Sequence, residues 1–118
     1  MIKEANVMVI VSDMDRAVQF YVDRLGLKLK ARYGDEFAQV QCPGLTMALH
    51  PSSERLRPGK SESMSVGFGV EDLEEAMTGL KSKGIAFGQI VDDGPVKLVS
   101  FEDPDGNPLY LSQIMRWK

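Results

Sequence analysis

"NVMVIVSDMDRAVQFYVDRLG", Asn6 to Gly26, opens as a strand and turns helical within a few residues. The run from Val7 to Val11 is rich in β-branched residues. It sends Asn6, Met8 and Ile10 to one face and Val7, Val9 and Val11 to the other. Met14, Ala17, Val18, Tyr21 and Leu25 then share one helical stripe. Ser12 with Asp15 three residues on suits a capping box, and Gly26 stands where a helix C-terminal glycine belongs. The stretch decides the fold because the chain contains it twice.

The second copy is "SVGFGVEDLEEAMTGLKSKG", Ser65 to Gly84. A short apolar run from Val66 to Val70 leads into Leu73, Ala76, Met77 and Leu80 at helical spacing. Glu71, Asp72, Glu74 and Glu75 crowd the start of that helix and Lys81 and Lys83 its end, as the helix dipole favours. A shift of 59 residues puts Val7 on Val66, Val11 on Val70, Asp13 on Asp72 and Ala17 on Ala76. One residue deleted from the first helix then puts Gly26 on Gly84.

Three strand-like runs follow each helix. The first set is 27–33, 36–42 and 45–50, with turns at Gly34-Asp35 and Pro43-Gly44. The second is 85–91, 96–102 and 107–114, with turns at Asp93-Gly94-Pro95 and Asp103-Pro104-Asp105-Gly106. Gly44 pairs with Gly106, and Ala48 with Tyr110. "PSSERLRPGKSE", Pro51 to Glu62, reads as a linker. The unit is therefore β-α-β-β-β, written twice; a third strand after each helix excludes a ferredoxin-like order. The helix covers one face of each sheet, and the two open faces are expected around a common cavity.

Bulk composition narrows the function. The chain has 118 residues, a net charge of −3 and a pI near 5.1, which speaks against nucleic acid or an anionic membrane as partner. Cys42 is the only cysteine, so an intrachain disulfide is impossible. The sequence begins MIKEAN, with no signal peptide visible, and has no apolar run of spanning length, so a cytoplasmic protein is expected.

With "VSDMDRAVQFYVDRLGLKL" and "FEDPDGNPLYL" in the right order and separation, residues 4–114 resemble the vicinal oxygen chelate superfamily of glyoxalases, bleomycin-resistance proteins and extradiol dioxygenases. The resemblance implies an α+β fold: two tandem βαβββ modules forming a curved, partly open mixed sheet around a pocket. It implies one domain over 1–118, with module 1 at about 4–50, the linker at 51–62 and module 2 at about 63–114. Relatives of this size commonly pair modules between two chains, so a homodimer is expected.

Metal-dependent members carry His, Glu or Gln at four positions, on the first and last strand of each module. Carried over by resemblance, these fall on Asn6, Ala48, Ser65 and Tyr110. None is a usual ligand for a catalytic divalent metal, which wants imidazole or carboxylate. The expectation is therefore no metal and no cofactor. Asn6, Ala48, His50, Ser65 and Tyr110 are the ligand-binding candidates. His50, the only histidine, lies two residues from Ala48 on the same face. It reads as a ligand contact, a lone metal ligand, a general base or a solvent-facing strand end.

Tyr110 reads either as a ligand contact or as a filler of the space a metal would take. Phe37, Phe87 and Phe101 read as strand packing, and Cys42 as a half-buried inert thiol. Gly67-Phe68-Gly69 lacks the third glycine of a dinucleotide loop, and Glu71 and Asp72 would repel a pyrophosphate there. Trp117 is left open between packing and disorder. The leading expectation is a metal-free protein that binds or sequesters a small molecule. The alternative is a lyase, isomerase or dioxygenase with a non-standard metal site or metal-free acid–base chemistry through Tyr110 and His50.

Overall fold

The computed structural model describes residues 1–115, and Trp117 lies outside the described residues. The chain divides into two compact units, Met1–Gly59 and Lys60–Lys118. Each is a four-stranded mixed sheet with one helical segment on one face, and together they make the tandem βαβββ architecture of an α+β protein.

In the first unit β1 (Val7–Val11) leads to α1 (Met14–Val18), which runs on as a π-helical segment, Gln19–Arg24. β2 (Lys28–Tyr33), β3 (Phe37–Cys42) and β4 (Leu45–Pro51) follow. The strand order is β1-β4-β3-β2, with β1 parallel to β4 and the other pairs antiparallel. The parallel pair follows from the helical crossover after β1, and the antiparallel pairs from two tight turns. Those turns place Gly34 at φ 57° and Gly44 at φ 89°, a region costly for any residue with a Cβ. Alternation sends Val9, Val11, Ala38, Val40, Met47 and Leu49 into the core, where they meet Met14, Ala17, Phe20 and Tyr21.

Two details of α1 differ from the sequence reading. The helix is capped by Asp13, whose Oδ1 accepts from the Arg16 N–H at 3.1 Å, not by a Ser12–Asp15 box. The Ser12 hydroxyl instead accepts from the Arg16 guanidinium at 3.0 Å. The core also takes Phe20, which lies off the expected stripe, while Val18 and Leu25 are only half-buried. The π segment is the reason. The Leu25 N–H donates to the Phe20 carbonyl, five residues back, at 2.8 Å. Phe20 and Tyr21 are neighbours, and both turn inward as an edge-to-face pair with centroids 5.0 Å apart.

The second unit holds β5 (Val66–Gly69), α2 (Leu73–Lys81), β6 (Val91–Asp92), β7 (Val96–Glu102) and β8 (Pro108–Ile114). Its order is β5-β8-β7-β6, again with one parallel pair, β5 with β8. Leu73, Met77, Ile85, Val99, Phe101, Leu109 and Leu111 form the core. The strand expected over 85–91 shrinks to Val91–Asp92. Its start is held elsewhere, because the Ile85 N–H closes the end of α2 on the Leu80 carbonyl at 3.1 Å. Beyond that, Gly88 donates one bond to the Ser100 carbonyl, and Phe87 packs its ring on Phe101.

The Asp103-Pro104-Asp105-Gly106 turn is built around a buried carboxylate. Asp103 Oδ1 accepts from the N–H groups of Asp105 and Asn107, both at 2.9 Å, and Oδ2 accepts from Asn107 Nδ2 at 2.8 Å. A buried carboxylate so satisfied fixes where β8 begins. At the other end of β8, Gln113 Oε1 accepts from the Leu73 N–H at 2.7 Å, tying the strand to the start of α2. Asn107 and Gln113 thus bracket β8, and the alternation between them sets which side Tyr110 faces. No helix among the described residues is long and apolar enough to cross a membrane, which says nothing of strands.

Candidate functional site

The face of the sheet turned away from the helix carries Ala48 and His50 in the first unit and Tyr110 in the second, while Asn6 and Ser65 each stand one residue ahead of a strand. Residues of β8 alternate, so Leu109 and Leu111 are buried under α2 while Pro108, Tyr110 and Ser112 lie on the other face. The rungs of the ladder then place Gly67, Tyr110 and Ser100 side by side, and Gly69, Ser112 and Leu98 on the next rung.

Tyr110 is half-buried, and its ring reaches across to β5. A Cβ added at Gly67 would strike the ring at Cζ, with Cε1 and Cε2 each 2.5 Å away. Among the described residues of the second unit none hydrogen-bonds the Tyr110 hydroxyl. Ser65, one residue ahead of β5, is exposed and donates its hydroxyl to the Pro108 carbonyl at 3.0 Å, so that hydroxyl proton is engaged by the backbone.

The first unit presents Met8, Ala48 and Gln39 on one rung of its open face. Ala48 is 8% exposed and offers no donor atom. Ile10 and His50 share the next rung. His50 Nδ1 lies 3.0 Å from the Pro51 carbonyl oxygen. A carbonyl only accepts, so the proton sits on Nδ1, and in the neutral ring Nε2 keeps its lone pair. Asn6 is exposed, one residue ahead of β1. Phe37 and Tyr33 lie at the far side of this sheet with centroids 6.2 Å apart; Phe37 is half-buried, Tyr33 exposed.

Asn6, Ala48, Ser65 and Tyr110 offer an amide, a methyl, a hydroxyl bonded to backbone and a phenol. That set does not suit a divalent metal, which prefers imidazole, carboxylate or thiolate donors. Among the described residues no three His, Cys, Asp or Glu side chains group so as to hold a metal ion.

Two depressions flank these faces. One, of about 420 Å³, is lined by Gly69, Val70, Glu71, Ser112 and Ile114 in the second unit. The other, of about 410 Å³, is lined by Gly26, Leu27, Lys28, Gln41, Cys42, Pro43 and Gly44 in the first. Burial pushes the Cys42 thiol pKa up, and its Sγ approaches the Leu45 carbonyl oxygen at 3.8 Å.

The sequence reading missed Gly67 as part of this surface, because it treated the glycine only as one letter of a weak phosphate-loop pattern. The internal repeat holds the missing signal. It puts Gly67 opposite Met8 and Tyr110 opposite Ala48, so the two units carry the same rung with large and small residues exchanged.

The family model described as Glyoxalase/Bleomycin resistance protein/Dioxygenase superfamily matches residues 5–111. Among solved structures, the chain is similar to TnmS3, an antibiotic binding protein from Streptomyces sp. CB03234. Identity is 26% over 97% of this chain and 99% of that one, with a TM-score of 0.75. A member of the same superfamily from Sphaerobacter thermophilus DSM 20745 shares 26% identity over 96% of this chain and 98% of its own, with a TM-score of 0.75. A glyoxalase/bleomycin resistance protein/dioxygenase from Alicyclobacillus acidocaldarius shares the fold at 23% identity, over 98% and 96% of the two chains, with a TM-score of 0.74. No curated protein matches the sequence significantly.

Proposed function

This chain belongs to the Glyoxalase/Bleomycin resistance protein/Dioxygenase superfamily, and we propose that within it the protein is a metal-independent binder of a small molecule. It holds or sequesters its ligand in the cytoplasm as a single two-module domain, over 1–118, that dimerises. Asn6, Ala48, His50, Ser65 and Tyr110 are the proposed contact residues. One observation carries the reading: the amide of Asn6, the methyl of Ala48 and the hydroxyls of Ser65 and Tyr110 suit contact with a neutral organic ligand better than metal ligation. The likeness to TnmS3, described as antibiotic binding, supports it.

A second reading has one specific observation in its favour. With Nδ1 donating to the Pro51 carbonyl, the neutral ring of His50 has Nε2 as an acceptor, which is what a general base needs. On that reading the protein is a lyase, isomerase or dioxygenase that uses Tyr110 and His50, or a metal bound by an unusual donor set.

Thermal unfolding against a panel of small molecules, with elemental analysis of protein purified without chelator, separates the two. Binding predicts compounds that raise Tm and well under one metal per chain. A stoichiometric zinc, iron, nickel or manganese, with no stabilising compound, overturns the first reading in favour of the second.

A further inference from the structure

We propose that Gly67 is a positioning residue for ligand binding: it lets the Tyr110 ring lie face-down on β5, so that one aromatic face and the hydroxyl are presented in a fixed direction. The inference rests on the reading of Tyr110 as a ligand contact.

The geometry is specific. A Cβ built on Gly67 has Cζ of Tyr110 as its nearest atom, with Cε1 and Cε2 equidistant at 2.5 Å. An approach along one side of the ring would bring one Cε closer than the other, and an in-plane approach at the Cζ end would meet the hydroxyl oxygen first. The nearest atoms therefore put the added Cβ over the face of the phenol, at its Cζ end. Gly67 and Tyr110 are direct partners in the parallel pair of β5 and β8, so the ring crosses from one strand to the next. Among the described residues β5 has β8 as its only strand neighbour, so the ring lies across the outermost strand of this sheet. A glycine within a strand marks a close approach by another group, and here the group is an aromatic ring.

The first unit supplies the contrast. Its equivalent rung has Met8 on the first strand and Ala48 on the last. A side chain on the first strand goes with a small residue on the last, and the bare glycine goes with the ring. Any side chain at Gly67 would lift the Tyr110 ring off the sheet and turn its face away. A ring held flat offers a wide π surface, and a planar aromatic ligand matches it by offset stacking.

The test measures the affinities of β-naphthol and of its saturated counterpart, decahydro-β-naphthol, which has a hydroxyl and similar size but no π face. They are measured on the wild type, Gly67→Ala, Tyr110→Ala and the double variant. The wild type is expected to prefer β-naphthol at least tenfold. Gly67→Ala and Tyr110→Ala should each abolish the preference, and the double variant should bind no worse than Tyr110→Ala alone. A purely structural role for Gly67 would instead weaken both compounds alike and add its loss in either background. The double variant also guards against misfolding, since removing the ring removes the clash with the new methyl. Preference retained in Gly67→Ala, losses that multiply in the double variant, or no preference in the wild type would each overturn the inference. Other compounds of the thermal panel that still stabilise the wild type would leave the binding reading standing; a panel with no stabilising compound removes that reading as well.

Discussion

Asp13 and Asp72 occupy the same place in the two repeats and make the same hydrogen bond. Asp13 Oδ1 accepts from the Arg16 N–H at 3.1 Å, and Asp72 Oδ1 accepts from the Glu75 N–H at 3.0 Å. Both residues have extended backbone, φ −142° and −134°, as the residue ahead of a helix requires. Each satisfies a donor that the first turn leaves without a helical partner. Asp13→Ala and Asp72→Ala should each destabilise the protein by about 1 kcal/mol, within the ~0.5–2 kcal/mol typical of such caps. The caps lie in different units, and their losses should add in the double variant. Ser12→Ala should cost less, because the bond that its hydroxyl accepts from the Arg16 guanidinium is made at the exposed surface. Urea unfolding of the four variants checks the order.

The repeats differ by one residue, and the π segment is where it is absorbed. The closing bond of α2 runs from the Ile85 N–H to the Leu80 carbonyl, five residues back. The equivalent bond in the first unit runs from Leu27 to Tyr21, six residues back, at 2.9 Å. Asp13 to Tyr21 and Asp72 to Leu80 are the same distance along the chain, so the extra residue lies between Tyr21 and Gly26. Phe20→Ala should cost roughly 3–5 kcal/mol, as truncation of a buried aromatic does, and Val18→Ala far less. Deletion of exposed Asp23 should leave a folded protein whose first helix closes as the second does, at a smaller cost than Phe20→Ala. Thermal unfolding with circular dichroism ranks the three.

The repeat made the topology legible before any coordinates. Two helical stripes 59 residues apart, each followed by three runs with turn residues between them, leave little freedom of strand order. What escaped was local. A single inserted residue does not change the strand pattern, but it turns Phe20 inward. The strand expected over 85–91 has the composition of a strand, yet its first residue is committed to the end of α2 and Gly88 interrupts it. The cap was misassigned because Ser12 and Asp13 are both good capping residues, and only backbone geometry chooses between them. The equivalence of Ala48 and Tyr110 across the repeat was legible in the sequence, and the strand register places them on equivalent rungs. Gly67 was not legible, because a glycine shows its purpose only through what lies over it.

Cys42 should react slowly. Burial raises its pKa, so less thiolate is present at neutral pH than for a free cysteine. The preference of the folded state for the neutral thiol is fully present below the unfolded thiol pKa and is lost as pH rises through the higher folded value. Modification by a disulfide reagent should therefore be slower than for free cysteine near pH 7 and should climb on the alkaline side. A reaction as fast as free cysteine at neutral pH would contradict the burial argument.

The protein is expected to be a homodimer. Among the described residues β1 pairs only with β4 and β5 only with β8, so each stands last in its sheet. Met8 on β1 is 58% exposed, an apolar side chain at such an edge. Light scattering over a concentration series should give twice the chain mass at tens of micromolar protein. A monomer there would count against the proposal, because micromolar affinity already corresponds to about −8 kcal/mol.

Tyr110 decides between a ligand contact and a filler of the space a metal would take. As a ligand contact, its hydroxyl bonds the ligand, and Tyr110→Phe should weaken binding by about 0.5–1.5 kcal/mol while leaving stability unchanged. Tyr110→Ala removes the ring as well and should weaken binding further. Because the residue is only half-buried, its stability cost should stay below that of a core aromatic. As a filler, the ranking changes. Tyr110→Phe becomes neutral or stabilising, and Tyr110→Ala costs roughly 3–5 kcal/mol with no compound able to offset it. The Ser65 hydroxyl donates its proton to the Pro108 carbonyl, so toward the phenol it could only accept. With the phenol proton given to the ligand, Ser65→Ala should leave the Tyr110→Phe effect on binding intact. Thermal unfolding of Tyr110→Phe, Tyr110→Ala and Ser65→Ala, with and without stabilising compounds, measures all of this. A large stability loss in Tyr110→Ala, with no compound raising the wild-type Tm, would leave the ring as packing alone.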